Sequence, residues 1–538
     1  MRSLPTLFAA ALLATTTLSA VSARADDKTD KADKTPILQP TQSLTDGSVT
    51  IGGQKIDYQA AAGTLIVHPK GWDDQETTAA EQSDKAEKKS AQASMFYVAY
   101  FKKGAAAAHR PITFLFNGGP GSSSVWLHMG AFGPRRVITP DDSHPNGAPY
   151  KLVNNDESLL DVSDLVFIDA PGTGFSRVVG HDGSKAFYGI DQDGHAFTNF
   201  IAEFLSKYRR WDSPKYLFGE SYGTTRSAVL SYDLENDQSI DLNGVILLSQ
   251  ILAFDNSIDG PEFNPGEDMP YILALPSFAA TAWYHHKLGT QGDLPTLLKQ
   301  VEQFATTDYA QALGQGDALD SATRDKIAAK LHDYTSLPVD YIKKSDLRIN
   351  GGQFEKMLLT GTDTTTGRLD SRFAGPSMDP LSKESAYDPQ SAAISAAYVA
   401  TFNDYVRQTL HYGDGMTYKA VTEIGRQWDM KHQPPGAHHP ARGSANVMLD
   451  LAAAMKYDPK LQVMLNAGYF DLATPFYEGI YEMQHLPIPT RLDGNIEFKQ
   501  YDSGHMVYAH LPSLKKLHDN VAAFIGRTDN QGSGATAQ

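Results

Sequence analysis

Gly219-Glu220-Ser221-Tyr222-Gly223 sets a serine between small residues. It follows a short apolar run at 216–218 and precedes a helix-like stretch at 225–234. A tight strand-to-helix turn of this kind lifts a serine hydroxyl clear of the backbone, and the helix N-terminus behind it favours developing negative charge. The chemistry on offer is nucleophilic attack. A hydroxyl is a weak nucleophile until a histidine removes its proton, and that histidine needs a carboxylate to fix its tautomer and stabilise its charged form. With the chain order serine, acid, histidine, the expected partners are Asp471, in Gly468-Tyr469-Phe470-Asp471, and His505, in Ser503-Gly504-His505-Met506. Each comes just after a strand-like run, 463–465 and 496–501 respectively. Asp502 is a rival for the acid, disfavoured because it sits beside the histidine rather than on another strand's loop. Ser122, Ser123 and Ser124 are next in line should Ser221 not be the nucleophile.

Those three serines belong to a second segment, Asn117-Gly118-Gly119-Pro120-Gly121-Ser122-Ser123-Ser124. Its glycines let backbone N–H groups approach a ligand oxygen without a Cβ in the way, as an oxyanion hole requires. A phosphate loop is disfavoured because no Gly-Lys-Ser/Thr follows.

Parallel strands must position these residues. From Pro111 onward, wholly apolar runs at 112–116, 165–168, 216–218 and 245–248 alternate with amphipathic stretches, the pattern of strands buried on both faces. Phe197, Phe200, Ile201, Phe204, Leu205 and Tyr208 recur at helical spacing and predict a crossover helix over 193–210. Before this lie a predicted hairpin (49–51, Gly52-Gly53, 55–58) and strands at 64–67 and 95–101, an antiparallel opening, with an exposed charged loop at 72–91. Helix-prone segments such as 294–312 and 392–410 replace the strand rhythm in the middle of the chain, and 514–525 marks a closing helix. The expected organisation is a signal peptide (1–25), a polar linker (26–48), a first core part (49–254), an inserted cap (255–445), a second core part (446–527) and a disordered tail (528–538).

The signal peptide rests on Arg2, an apolar run from Leu4 to Leu18 and the small-residue site Ala23-Arg24-Ala25, which together predict export to the periplasm or the outside and no stable membrane association after cleavage. The 538 residues contain no cysteine, so disulfides, thiolate metal sites and a cysteine nucleophile are excluded, and a bacterial export route fits best. A composition of 41% hydrophobic and 20% charged residues excludes global disorder and membrane-bundle classes, and a formal charge of −16 excludes nucleic acid as a partner. His432, His438 and His439 lie among prolines with no common zinc spacing and are read as a surface loop. No metal and no cofactor are expected.

Together these motifs resemble the serine carboxypeptidase family of α/β hydrolases, with the chain read as a bacterial-type member without cysteines. The likeness spans 95–510 and is carried by Asn117 to Ser124 with Gly133-Pro134 beyond it, Asp169-Ala170-Pro171-Gly172-Thr173-Gly174-Phe175-Ser176, Gly219 to Gly223, and the Asp471 and His505 segments. It implies an α/β-hydrolase fold, with a mixed, mostly parallel central sheet, flanking helices and a large helical cap insertion. It also implies an exported serine carboxypeptidase acting on peptide or protein C-termini, with Ser221 as nucleophile, His505 as general base and acid, Asp471 orienting it, and the N–H groups of Gly119 and Tyr222 as oxyanion hole. Asn117, the Gly118 N–H and Glu220 would hold the substrate's terminal carboxylate, Glu220 in its protonated form because two carboxylates repel.

The sequence departs from the family pattern at three positions. Ser122 replaces a disulfide-forming cysteine, Leu115 a tryptophan, and Ala131 the glutamate that many members pair with the equivalent of Glu220. Without that partner Glu220 is expected to lose its proton more readily. One of Arg135, Arg136, Arg177 and Arg226 is a candidate substitute, the others being structural ion-pair formers. The alternative is an esterase or acyltransferase on the same scaffold. Intact Ser221, Asp471 and His505 argue against an idle binding protein.

Overall fold

Side chains pointing to opposite faces of a strand explain the apolar runs: in β4 (Ile112–Phe116), Ile112, Phe114 and Phe116 enter one buried cluster while Leu115 enters another. In β8 (Gly244–Leu248), Val245 and Leu247 face the first cluster and Ile246 and Leu248 the second. Such strands need helices on both sides. These relations come from a computed structural model that describes residues 38–72, 91–290 and 292–530. The expected signal peptide, nearly all of the charged loop after Trp72 and the tail beyond Asn530 lie outside the described residues.

The remaining strands of the large sheet are β1 (Gln42–Ile51), β2 (Gln54–Val67), β3 (Gln92–Lys102), β5 (Asp164–Ile168), β6 (Arg177–Val179), β7 (Lys215–Glu220), β9 (Gln462–Gly468) and β10 (Ile496–Tyr501). Their spatial order is β1-β2-β3-β5-β4-β7-β8-β9-β10, with β6 paired to the start of β3. The first three strands pair antiparallel and β3 meets β5 antiparallel. From β5 to β10 every pairing is parallel. This mostly parallel mixed sheet with helices on both faces is the α/β-hydrolase fold that the resemblance implied.

One face is covered by α1 (Ile190–Tyr208), α2 (Tyr222–Gln238) and α5 (Met448–Tyr457). In α1 the predicted stripe Phe197, Phe200, Ile201, Phe204 and Leu205 is buried, each large side chain contributing about 1.5–3 kcal/mol. Asp191 and Asp193 in its first turn suit the positive end of the helix dipole, and Arg209, left-handed at φ 54°, ends it. The other face is covered by a π-helical turn at Leu127–Phe132, by α4 (Pro389–Gln408) and by α7 (Leu511–Thr528).

Two expectations need correction. The linker expected over 26–48 becomes strand from Gln42, which pairs with Gly63. An edge strand with one face in solvent keeps its ladder bonds while carrying polar side chains, so its apolar signal is weak. The strands expected at 55–58 and 64–67 are one strand, β2, continuous through the buried Ala60, Ala61 and Ala62. Within the span expected as a cap, α3 (Met269–Tyr284) and the helices up to Leu358 share a core of their own. By contrast α4 packs on the sheet, and isolated bridges tie Lys419, Val421 and Asp429 to the motif loops at Gly174, Ser122 and Gly189.

A further correction concerns His432. His438 and His439 are exposed as expected, but His432 is buried between Asp191 at 2.6 Å and Asp450 at 2.8 Å. Burial alone would lower its pKa, but bonds to the two carboxylates outweigh that and raise it to about 9. The charged imidazole fastens the segment after Asp429 to α1 and α5. Because the folded value lies above the unfolded one, this stabilisation is complete below about pH 6.5 and is lost as pH rises through the folded value. Thermal midpoints measured from pH 6 to 10 should therefore fall more steeply for wild type than for His432→Gln. Parallel curves would show that the imidazole carries no such charge.

Candidate active site

The predicted site residues lie at, or in the turns just after, the C-terminal ends of parallel strands. Asn117 follows β4, Ser221 follows β7, Asp471 follows β9 and His505 follows β10. Register brings them together in pairs: Phe116 is opposite Gly219, and Gly468 opposite Tyr501. The Asp471 and His505 loops are further joined by Tyr469 N–H to Tyr501 O at 3.0 Å and Phe470 N–H to Ser503 O at 3.0 Å.

Ser221 has φ 61° and ψ −130°, a conformation that costs a non-glycine residue about 1–3 kcal/mol. Its surroundings enforce it. The Ser221 N–H donates to Leu248 O at 2.9 Å, and a Cβ on Gly219 would lie 2.1 Å from Gly223 O. No larger residue fits at 219. The helix α2 then starts at Tyr222, whose N–H belongs to the first turn and has no intrahelical acceptor. Gly118 lies against that group: a Cβ there would sit 2.4 Å from Tyr222 N. Gly119 beside it has φ 108°. The two backbone stretches expected to form an oxyanion hole are thus in contact.

His505 is buried, and its Nδ1–H donates to Asp471 Oδ2 at 2.8 Å, which leaves Nε2 as the basic nitrogen. Asp471 is itself held by N–H groups of Ala473 (2.8 Å) and Thr474 (3.0 Å) and by the Thr474 hydroxyl (2.8 Å). Burial pulls the His505 pKa down, but Asp471 and then Glu220 pull it up further, and the net shift is upward. Asp502 is exposed and 3.6 Å from Lys516. It does not hold His505.

Glu220 is buried and receives the Tyr508 hydroxyl on Oε2 at 2.8 Å. Asn117, whose Oδ1 accepts the Leu127 N–H at 3.2 Å, keeps its amide NH₂ as a donor and lies near enough to favour the ionised form of the same carboxyl. Burial raises the pKa of Glu220 to about 7 against the opposing influence of His505, Tyr508 and Asn117. Lack of a second glutamate thus does not leave Glu220 an ordinary carboxyl, because desolvation raises its pKa without any like-charge repulsion from position 131. Ala131 is buried in the π-helical turn. None of the four candidate arginines is bonded to Glu220. Arg177 is taken up by the carbonyls of Gly174, Ser176 and Thr417, and Arg226 by Asp193 (2.6 Å) and Asn117 O (2.8 Å).

Ser221, His505, Glu220, Asn117, Gly118, Gly119 and Tyr222 all line one cavity of about 590 Å³. Its other walls come from residues that sequence spacing did not flag. Trp126, Ile251, Phe254, Ile394 and Met430 are apolar, while Arg368 is paired with Asp259. Asp370, paired with Arg372, accepts the Gly504 N–H at 3.2 Å, and Leu369 O accepts the His505 N–H at 2.6 Å. These contacts come from the middle of the chain, far from the motifs, so no local pattern announces them. A larger cavity of about 940 Å³ lies at the N-terminal ends of β7, β8 and β9, away from these groups.

Asp169 explains the fourth motif. It accepts the Ser124 N–H and hydroxyl at 2.8 Å each, while Ser176 Oγ donates to Asp169 O and accepts the Phe96 N–H. Its role is to fix the Asn117 loop. Arg226 fixes the same loop from the other side, and its counter-charge Asp193 is fully buried. Replacing Asp193 by Asn should destabilise the protein by about 3–5 kcal/mol, since a buried guanidinium is left without its carboxylate. Urea unfolding would check this, and a midpoint equal to wild type would show that the pair holds nothing.

The serine carboxypeptidase family profile matches residues 85–491, well over half of the chain. The chain is 30% identical over 141 residues to the pheromone-processing carboxypeptidase KEX1 of Yarrowia lipolytica, covering 26% of this chain and 21% of that one. It is 28% identical over 172 residues to serine carboxypeptidase-like 35 of Arabidopsis thaliana, covering 30% and 34%. The matches thus span a fifth to a third of these curated relatives. Among solved structures, a putative hydrolase of Legionella pneumophila is similar at 10% identity and a TM-score of 0.36, covering 93% of this chain and 99% of that one. The juvenile hormone epoxide hydrolase of Bombyx mori is similar at 10% identity and a TM-score of 0.34, covering 87% and 78%. By its motifs, its fold and the extent of the family match, the chain belongs to the serine carboxypeptidase family.

Proposed function

We propose that the protein is an exported serine carboxypeptidase that removes residues from peptide C-termini through an acyl-enzyme on Ser221. The observation that carries this reading is the buried Glu220, kept protonated to about pH 7, beside the candidate nucleophile in the same cavity. His505 Nε2 takes the Ser221 proton as Oγ attacks the scissile carbonyl, and Asp471 stabilises the imidazolium. The oxyanion is received by the N–H groups of Gly119 and Tyr222. His505 then passes the proton to the leaving amine, the C–N bond breaks, and the terminal amino acid departs. Water, deprotonated by the same histidine, releases the shortened peptide.

The Asn117 amide, the Gly118 N–H and the Glu220 O–H hold the substrate's terminal carboxylate. A protonated carboxyl donates where an ionised one repels. Export rests on the N-terminal segment alone. Among the described residues no helix is long and apolar enough to cross a membrane.

Asp471→Asn should lower kcat by about 10³–10⁴-fold, by analogy with loss of the orienting acid in other triads. Asp502→Asn should leave kcat within a factor of about two, as befits an exposed residue. Similar losses in the two purified variants would reassign the acid.

A pH profile tests the carboxylate reading. His505 must be neutral, so kcat/KM rises with pH through its titration, whereas Glu220 must be protonated, so kcat/KM for a free-carboxylate peptide falls as pH passes about 7. A matched C-terminal amide should lack the alkaline limb, and Glu220→Gln should flatten it for the acid. An amide cleaved faster at every pH, with no effect of the substitution, points to an esterase or amidase instead.

A further inference from the structure

We propose that Tyr508 is the positioning partner of Glu220, its hydroxyl occupying one carboxyl oxygen so that the other is presented to a substrate C-terminus. This rests on the carboxylate reading above and concerns how that site works without a second glutamate. Tyr508 Oη donates to Glu220 Oε2 at 2.8 Å, and both residues are buried. The ring occupies the ground next to Ala131: a Cβ on the adjacent Gly130 would lie 2.8 Å from Tyr508 Cδ2 and 2.6 Å from the Tyr398 hydroxyl.

A phenol and a carboxyl do this job differently. Two carboxyls hold one another by sharing a proton, and that arrangement titrates. The Tyr508 phenol is pushed far above its ordinary range, first by burial and then by the neighbouring Glu220, so it remains a donor throughout the working range. With Oε2 accepting that bond, the acidic proton of Glu220 belongs on Oε1, where it can donate to a ligand. The other groups that face Glu220 are His505 and Asp471 from the strand-end loops, Asn117 from the glycine-rich loop, and Tyr398 from α4 with Arg136 near it.

A donor to Oε2 also favours the ionised carboxyl, so its removal has a predictable sign. Tyr508→Phe keeps the ring and deletes the hydroxyl. For free-carboxylate peptides the alkaline limb of kcat/KM should move up by roughly one pH unit. At about pH 5, KM should rise roughly three- to tenfold with kcat nearly unchanged, because orientation of the bound carboxylate is lost. The matched amide should show neither change. As a second readout independent of activity, an infrared titration would follow the protonated-carboxyl band that disappears in Glu220→Gln, and its midpoint should also move up in Tyr508→Phe. If Glu220→Gln removes the alkaline limb while Tyr508→Phe moves neither limb nor band, Tyr508 positions nothing and the carboxylate reading stands. If Glu220→Gln leaves the acid and amide profiles alike, Glu220 does not read a C-terminus and both proposals fall.

Discussion

A single buried guanidinium joins the helix behind the candidate nucleophile to the glycine-rich loop and to α1. Arg226 leaves α2 four residues past the start of that helix, bonds Asp193 on α1 and donates to the carbonyl of Asn117. It also lies over the ring of Phe197, 4.3 Å from the centroid. A charge placed in a dry core is costly on its own and tolerable only when paired and hydrogen-bonded. Here the consequence is geometric, since the serine turn and the glycine-rich loop are held to one another through the same side chain. Asp169 ties down the far end of that loop, so its conformation is fixed from both sides before any ligand arrives.

Much of this could be read from residue order. The apolar runs foretold the parallel strands because both sheet faces are covered, and the chain order of Ser221, Asp471 and His505 foretold which strand ends would carry them. What could not be read had physical reasons. β1 is an edge strand whose pairing relies on backbone bonds rather than apolar side chains. His432 sits in a polar, proline-rich stretch, and nothing local reveals that Asp191 and Asp450 close around it from positions 241 and 18 residues away. Tyr508 was one more aromatic residue after the histidine until its hydroxyl was seen on Glu220.

Burial dominates the electrostatics of Glu220. Removing a like-charged neighbour should make a carboxyl more acidic, but Glu220 is shielded from water so thoroughly that it behaves as a weak acid without one. Asp169 follows the same rule, raised to about 6 by burial despite bonds from Ser124 and Tyr418. At these two carboxyls enclosure outweighs the neighbouring donors, whereas at His432 and His505 the neighbouring carboxylates outweigh enclosure.

Glu220 and Ser221 are consecutive, and adjacent Cα atoms across a trans peptide are about 3.8 Å apart. On the proposed reading, the residue that grips the chain end and the residue that cuts are joined by one peptide bond, a backbone spacing that no loop motion can lengthen. Each cut on that reading releases one amino acid. The enzyme would then shorten a peptide stepwise, and a digest stopped early would hold a ladder of products each one residue shorter than the last.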